Sequence, residues 1–288
     1  MAENALFGVI GGSGLYSMPD LEVVDEVEVS TPFGSPSDAY VIGELRGERV
    51  VFLPRHGRGH TLLPSELNFR ANIYGFKKLG VNRIVSVSAV GSMKEQIAPL
   101  HIVAPDQFID RTRQRAETFF GDGVVAHVSL ADPVCPQLHD VVADAAESCG
   151  ATVWREGTYL CMEGPAFSTR AESELYRSWG VSVIGMTNLP EAKLAREAQM
   201  CYATCALVTD YDCWHETEEA VSGDMILENL LKNVQTARSI LAAVVEMLPE
   251  EQTCGCGQAL ENALVTDPSD MPPETRQKLD IILGERVE

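Results

Sequence analysis

Basic residues are scarce in this 288-residue chain: 22 Lys and Arg stand against 42 Asp and Glu, a formal net charge of −20. That balance argues against a nucleic-acid backbone or an anionic membrane surface as the main partner. Long apolar runs are missing as well. No window reaches the roughly 18 uninterrupted apolar residues of a membrane span, and the opening MAENALFGVIGG has no basic region with a cleavage site. A cytoplasmic protein is expected. The eight cysteines (135, 149, 161, 201, 205, 213, 254 and 256) do not read as a secreted disulfide framework, since most lie in apolar runs of a long chain. No Cys/His set has zinc spacing, so no metal is expected. Cys201 and Cys205 read as buried free thiols. Cys254-Gly-Cys256, close-spaced and exposed-looking, also admits a redox or vicinal-disulfide role.

What the chain does hold is 45% hydrophobic and 22% charged residues, ordinary for a globular protein and too apolar for a disordered one. Apolar runs alternate with amphipathic stretches, the pattern of strands interleaved with helices. Strands are predicted at 6–10, 39–45, 50–53, 83–89, 158–162, 181–186 and 202–209. Helices are predicted at 65–79, 137–149, 170–179, 189–199 and 222–247, with a short helical pattern at 274–283. In the longest helix Met225, Ile226, Leu230, Val234, Ile240, Leu241 and Val244 make the apolar stripe. No repeat and no linker divides the chain. It reads as one α/β domain over 1–288, with 249–288 as a C-terminal appendage. The charge is uneven: between Arg46 and Arg115 twelve basic residues face five acidic ones. Such an island suits an anion site or a subunit contact.

Several segments carry chemistry. Gly8-Val-Ile-Gly-Gly-Ser13-Gly14 follows an apolar strand, and its backbone N–H groups with the Ser13 hydroxyl suit an anion. A dinucleotide site needs a further Gly where Ser17 stands, and the Walker lysine is missing, so a single phosphate fits better. Leu53-Pro-Arg55-His56-Gly-Arg58-Gly-His60 is the densest cationic cluster, directly after a strand, and Arg can grip phosphate with two parallel N–H bonds. A solvated basic loop is its plainer reading. Ser88, Ala89 and Gly91 end another strand in small residues, which serve a ligand or close packing equally. The segment 163–172 combines a turn with a capping box, Thr169 to Glu172. Its Phe167 can stack on a flat ligand or sit in the core. Met186 and Thr187 end one more apolar strand. Asp210 and Asp212, two apart at a strand end, are expected to point the same way, one binding donors while the other, raised by burial and its neighbour's charge, gives a proton.

Taken in order, GGSG, STPFGSPSD, RHGRGHT, PSELNFRANI, DQFIDRT, EGPAFSTRAE, GMTNLPE and TDYDCW resemble the trimeric purine nucleoside phosphorylase family, in its methylthioadenosine-cleaving subgroup. The resemblance runs from about Gly8 to Met247 and is weakest in the acidic tail. It implies a central mixed β-sheet flanked by helices and phosphate-dependent cleavage of a purine nucleoside to free base and a ribose 1-phosphate. By motif, Ser13, Arg55, His56, Ser88, Ala89 and Thr187 are expected to hold phosphate. Met186 is expected at the ribose and Phe167 at the base. Asp210 is expected at the purine N7/N6 edge with Asp212 in support, the pair forming the catalytic set. His60, and His127 from an adjacent subunit, are expected to border the phosphate and the 5′ side. Ser168 and Gly223 are specificity positions; Gly223 stands where the subgroup usually has Val, which enlarges the 5′ pocket.

Inorganic phosphate is then a co-substrate and no cofactor is expected. The partners implied are a small nucleoside and phosphate, with a homotrimer or a dimer of trimers as the assembly. Two carboxylates favour a 6-amino purine, because a carboxylate only accepts where the amino group donates. The rival readings are a 6-oxopurine or methylthioinosine phosphorylase and a purine-binding module without turnover.

Overall fold

The computed structural model describes residues 7–12, 15, 18, 20–215 and 223–284, and within 223–230 only the side chain of Asn229. The described residues form eleven strands and seven helices: β1 (Phe7–Gly11), β2 (Leu21–Val27), β3 (Tyr40–Leu45), β4 (Glu48–Pro54), α1 (Phe69–Lys78), β5 (Arg83–Ser92), β6 (Ile102–Val103) and β7 (Gln107–Arg111) come first. There follow α2 (Pro136–Ser148), β8 (Val153–Trp154), β9 (Thr158–Met162), α3 (Arg170–Ser178), β10 (Val183–Gly185), α4 (Asn188–Glu197), β11 (Cys201–Asp210), α5 (Gly223–Met247), α6 (Pro273–Lys278) and α7 (Asp280–Leu283).

All strands join one mixed sheet, with a main path β2-β3-β4-β1-β5-β10-β9-β7; β11 pairs with β5 and β6, and β6 with β8. The centre is β5, parallel to β1 and to β11, while its last residues pair antiparallel with β10. Because β1 is also parallel to β4, four strands deliver their C-terminal ends to one edge, where open α/β sheets place their ligands.

The sheet is buried on both faces, and side-chain alternation assigns each residue to one of them. Ile10, Leu53, Ile84, Tyr202 and Ala206 pack with α1, α4 and the tail. Val9, Phe52, Val85, Ala203 and Leu207 pack with α2 and α5. Two-sided burial is why these strands read as continuous apolar runs. Ile240, Leu241 and Val244 of the expected stripe are fully buried; Met225, Ile226 and Leu230 lie outside the described side chains. The segment after residue 248 contributes Leu260, Met271, Leu279, Ile282 and Leu283 to the first core cluster, and Tyr74 Oη donates to Asp280 Oδ1 at 3.1 Å.

Three expectations need correction. The helix predicted at 65–79 divides into a 3-10 turn, Pro64–Glu66, and α1, whose N-cap Asn68 accepts from Ala71 N. The pattern at 274–283 likewise breaks at Leu279 into α6 and α7. Strands β2, β6, β7 and β8 went unread. LEVVDEV in β2 has one sheet neighbour and exposes five successive residues, so no alternation marks it; β6 and β8 are two residues long.

Candidate functional site

Arg55 follows β4 directly, and its backbone N–H donates to Gly11 O at 2.9 Å, tying the ends of β4 and β1 together. Its guanidinium is 2% exposed and turns into the protein. Nε donates to Glu191 Oε1 at 2.6 Å, Nη1 to Val87 O at 2.9 Å, and Nη2 to Ser86 Oγ at 2.6 Å and Ile10 O at 3.1 Å. Burial opposes the guanidinium's charge and Glu191 more than restores it, leaving the group held protonated. Of the five N–H groups a guanidinium carries, one on Nη1 has no partner among the described residues. The expected two-pronged grip on phosphate is therefore replaced by a buried cation with one free donor.

Glu191 was not picked out from the sequence. Fully buried on α4, it also accepts from Ser86 Oγ at 3.0 Å and Tyr202 Oη at 2.9 Å. Asn188 closes the network, donating to Ser86 Oγ, Tyr202 Oη and Thr204 Oγ1. The available signal was a carboxylate on the same helix face as Leu194, Ala195 and Ala198, which the core excludes unless it has a partner.

Ser88, Ala89 and Thr187 do meet. Ser88 Oγ lies 3.3 Å from Thr187 Oγ1 and 3.1 Å from Tyr159 Oη. The antiparallel register of β10 on β5, Ile184 opposite Gly91, carries Thr187 back towards Ser88. Close approach is possible because position 185 is Gly: a Cβ there would stand 1.9 Å from Tyr159 Oη. Ala89, beside them, is exposed. His56 Nδ1 lies 2.9 Å from Leu62 O, so Nδ1 carries the proton and Nε2 is left as an acceptor in the neutral ring. Burial first, then Arg55, pushes its pKa down to about 4. His60 stacks on His56 with centroids 4.4 Å apart and is exposed.

Arg115, a candidate subunit contact by charge alone, is instead internal. Its side chain is 1% exposed and donates to Met186 O at 2.7 Å, Leu189 O at 2.6 Å, Glu163 O at 2.8 Å and Met162 O at 3.3 Å. One cation thereby positions the ends of β9 and β10, including Met186. Arg111 and Arg113 remain exposed.

At the end of β11 the two carboxylates do not project side by side. The register with β5 slips between Val208 and Asp210, and Asp212 adopts a left-handed backbone, φ 55°. The chain thus folds back, and Asp212 N donates to Asp210 Oδ1 at 2.8 Å. Thr209 Oγ1 lies 2.6 Å from Asp210 Oδ2 and 3.2 Å from Val90 O, and its one hydroxyl proton is donated towards these two acceptors. Burial raises the Asp210 pKa, against the two hydrogen bonds. It raises Asp212 too, where the neighbouring charge is a lesser cause and Ser173 Oγ, donating at 2.5 Å, opposes it. Asn229 and Asn233 of α5 donate to Thr209 O and Val208 O and hold the strand end in place.

The 163–169 loop reaches this corner. Ser168 is buried, its carbonyl accepting from Cys213 Sγ at 3.4 Å. Phe167, next to it, is 70% exposed and thus is no core residue. Met186 Sδ abuts Gly164, where a Cβ would stand 2.6 Å away. His127 is exposed, and its backbone N–H donates to Ala263 O. Ser13 lies outside the described residues; Gly223 is the first residue of α5.

The phosphorylase superfamily model matches residues 6–246. An S-methyl-5′-thioadenosine phosphorylase of Geobacter sulfurreducens is 62% identical over 283 residues, covering 98% of this chain and 99% of that one. One from Koribacter versatilis is 59% identical over 98% of this chain and 96% of its own. Among solved structures, a methylthioadenosine phosphorylase from an antarctic soil metagenomic library is 51% identical with a TM-score of 0.93, covering 98% of this chain and 100% of that one. The methylthioadenosine phosphorylase of Schistosoma mansoni, in complex with adenine, is 37% identical with a TM-score of 0.82 over 86% of this chain and 93% of that one.

Two outcomes follow from the buried groups. Glu191→Ala strands the Arg55 charge and is expected to cost about 3–5 kcal/mol in urea unfolding; a loss under about 1 kcal/mol contradicts the pairing. For His56, the unfolded ring takes up a proton below its ordinary pKa of 6.5 while the folded ring refuses one down to about 4. Stability is thus lost as pH falls through that window, by about 3 kcal/mol at pH 4. In phosphate-free buffer His56→Gln should show that much less acid loss than the parent, and parallel curves would refute it.

Proposed function

The chain belongs to the phosphorylase superfamily, and we infer from that premise that it cleaves S-methyl-5′-thioadenosine with inorganic phosphate to adenine and 5-methylthioribose 1-phosphate. It is a pentosyltransferase of the purine nucleoside phosphorylase type, acting in purine and methionine salvage. The observation that carries the chemistry is Asp210, a buried carboxyl with a raised pKa at the end of the central strand β11.

Breaking the C1′–N9 bond leaves an oxocarbenium-like ribosyl and an anionic purine. A protonated Asp210 gives its proton to N7 and neutralises the leaving base, while its other oxygen accepts from the 6-amino group. Asp212 positions Asp210 through its backbone N–H. Phosphate, held among Ser13, the one free N–H of Arg55, His56, Ser88, Ala89 and Thr187, stabilises the ribosyl cation and then captures C1′. The neutral His56 offers Nε2 to the hydroxyl of a protonated phosphate. The 5′-methylthio group lies towards His60, with Ser168 and Gly223 setting how large a 5′ group is accepted. Met186 meets the ribose. Nothing in these steps calls for a cofactor.

The assembly is a homotrimer or a dimer of trimers. Its support is the exposure of Phe167 and His127, residues assigned to the base and to a neighbour's 5′ side, which a second subunit has to cover to exclude water. Sedimentation at working concentration should give the mass of three chains or of six; a monomer refutes it.

Asp210→Ala is expected to lower phosphate-dependent adenine release at least about tenfold with an unchanged circular dichroism spectrum. Near-normal turnover removes the proton-donor role. In the parent enzyme, a higher kcat/KM on methylthioinosine or inosine than on methylthioadenosine refutes the 6-amino preference. Purine binding without phosphate-dependent release favours a module without turnover.

A further inference from the structure

At the end of the sheet remote from Asp210, four cysteines from three distant segments converge. Cys135 is the N-cap of α2, Cys201 opens β11, and Cys254 and Cys256 flank Gly255 where a 3-10 turn begins in the tail. Their four sulfurs lie within 4.8 Å of one another. We propose that Cys135, Cys201, Cys254 and Cys256 form a tetrahedral structural zinc site that fastens the C-terminal segment to the catalytic sheet.

The geometry and the surroundings both favour a metal over other fates of these thiols. A Zn–S bond of about 2.3 Å puts tetrahedral sulfurs about 3.8 Å apart, and Cys201 Sγ lies 3.3 Å from Cys254 Sγ. That is well beyond the roughly 2.05 Å of a disulfide, and all eight cysteines are free. Cys135, Cys201 and Cys256 are buried and Cys254 half-buried. Four sulfurs with no other ligating group among the described residues make a closed set, the hallmark of a structural rather than a catalytic zinc.

Donors already face the sulfurs. Leu138 N, in the first turn of α2, donates to Cys135 Sγ at 3.5 Å. Gln252 Nε2 donates to Cys201 Sγ at 2.9 Å and to Cys254 Sγ at 3.5 Å. Such N–H groups stabilise ligating thiolates and orient them. Binding releases one proton from each thiol and forms four Zn–S bonds, with no change of oxidation state, leaving the site at a net charge of −2. Arg83, buried and in register with Cys201 across β5 and β11, lines the same small cleft and supplies positive charge. Gln137 ties the segment down beside the site, its Nε2 donating to Glu251 O and its Oε1 accepting from Thr253 N.

Nine residue steps along β11, roughly 30 Å, separate Cys201 from Asp210, so the metal takes no part in the reaction. Its role is to hold 249–288, whose Leu260, Met271 and Leu279 complete the core.

The test is the metal content of the protein purified without chelator, by mass spectrometry of the native chain and by elemental analysis. One zinc per chain is expected, with four thiols protected from a thiol reagent until the metal is stripped. Cys254→Ser/Cys256→Ser should drop zinc below about a tenth per chain, by loss of half the ligands. If that variant fails to fold, cobalt(II) substituted into the parent should give the thiolate-to-cobalt charge-transfer bands of a tetrahedral four-sulfur site. Zinc-free protein with four reactive thiols overturns the proposal. So does an intact mass lower by the hydrogens of one or two disulfides among these cysteines, or the visible absorption of an iron–sulfur cluster.

Discussion

The buried pair of Arg55 and Glu191 is the constraint around which the ends of β1, β4, β5 and β11 are built. A guanidinium 2% exposed and a carboxylate without exposure cannot stand alone in an apolar core. Each binds the other, and each draws in groups from different strands: Ile10 O from β1, Ser86 and Val87 from β5, Tyr202 from β11. The strand ends are locked in register by the same contacts that hold the cation. The guanidinium's position is thereby fixed in advance of any ligand.

Arg115 does for the ends of β9 and β10 what Arg55 does for the ends of β1, β4 and β5. By donating to four carbonyls it holds the backbone at the ends of β9 and β10. Met186 and Thr187 are set by that clamp. The Asp210 corner uses a third device, a strand slip followed by a left-handed residue, which turns Asp212 back on Asp210. The sheet thus brings together a buried cation and a desolvated carboxyl whose pKa is raised.

The charge island between Arg46 and Arg115 takes on a different meaning in three dimensions. Its net charge suggested an open anion trap or a contact surface. Arg55 and Arg115 are interior, Arg83 is buried, and Arg46 and Arg58 pair with acidic residues at the surface. Part of the local excess is thus used inside the fold of a chain whose net charge is −20.

Much of this was legible in one dimension. Apolar runs followed by Gly, Ser or Asp mark strands, and they place Ser88 on β5, Asp210 at the end of β11 and Thr187 just after β10. The Thr169–Glu172 capping box forms as read, because its hydrogen bonds are local. What remained hidden depends on contacts between distant segments. Glu191 looks like a helix surface residue until Arg55 is placed against it, 136 positions away. Arg115 looks like a solvated charge until four carbonyls surround it. The cysteines have no metal spacing along the chain, yet sheet register and a tail turn bring four of them together. Local patterns carry periodicity, caps and turns, since those need only near neighbours. Which charge is buried, which oxygen keeps a proton and which sulfurs meet are decided by packing, because only the closed fold removes water from them.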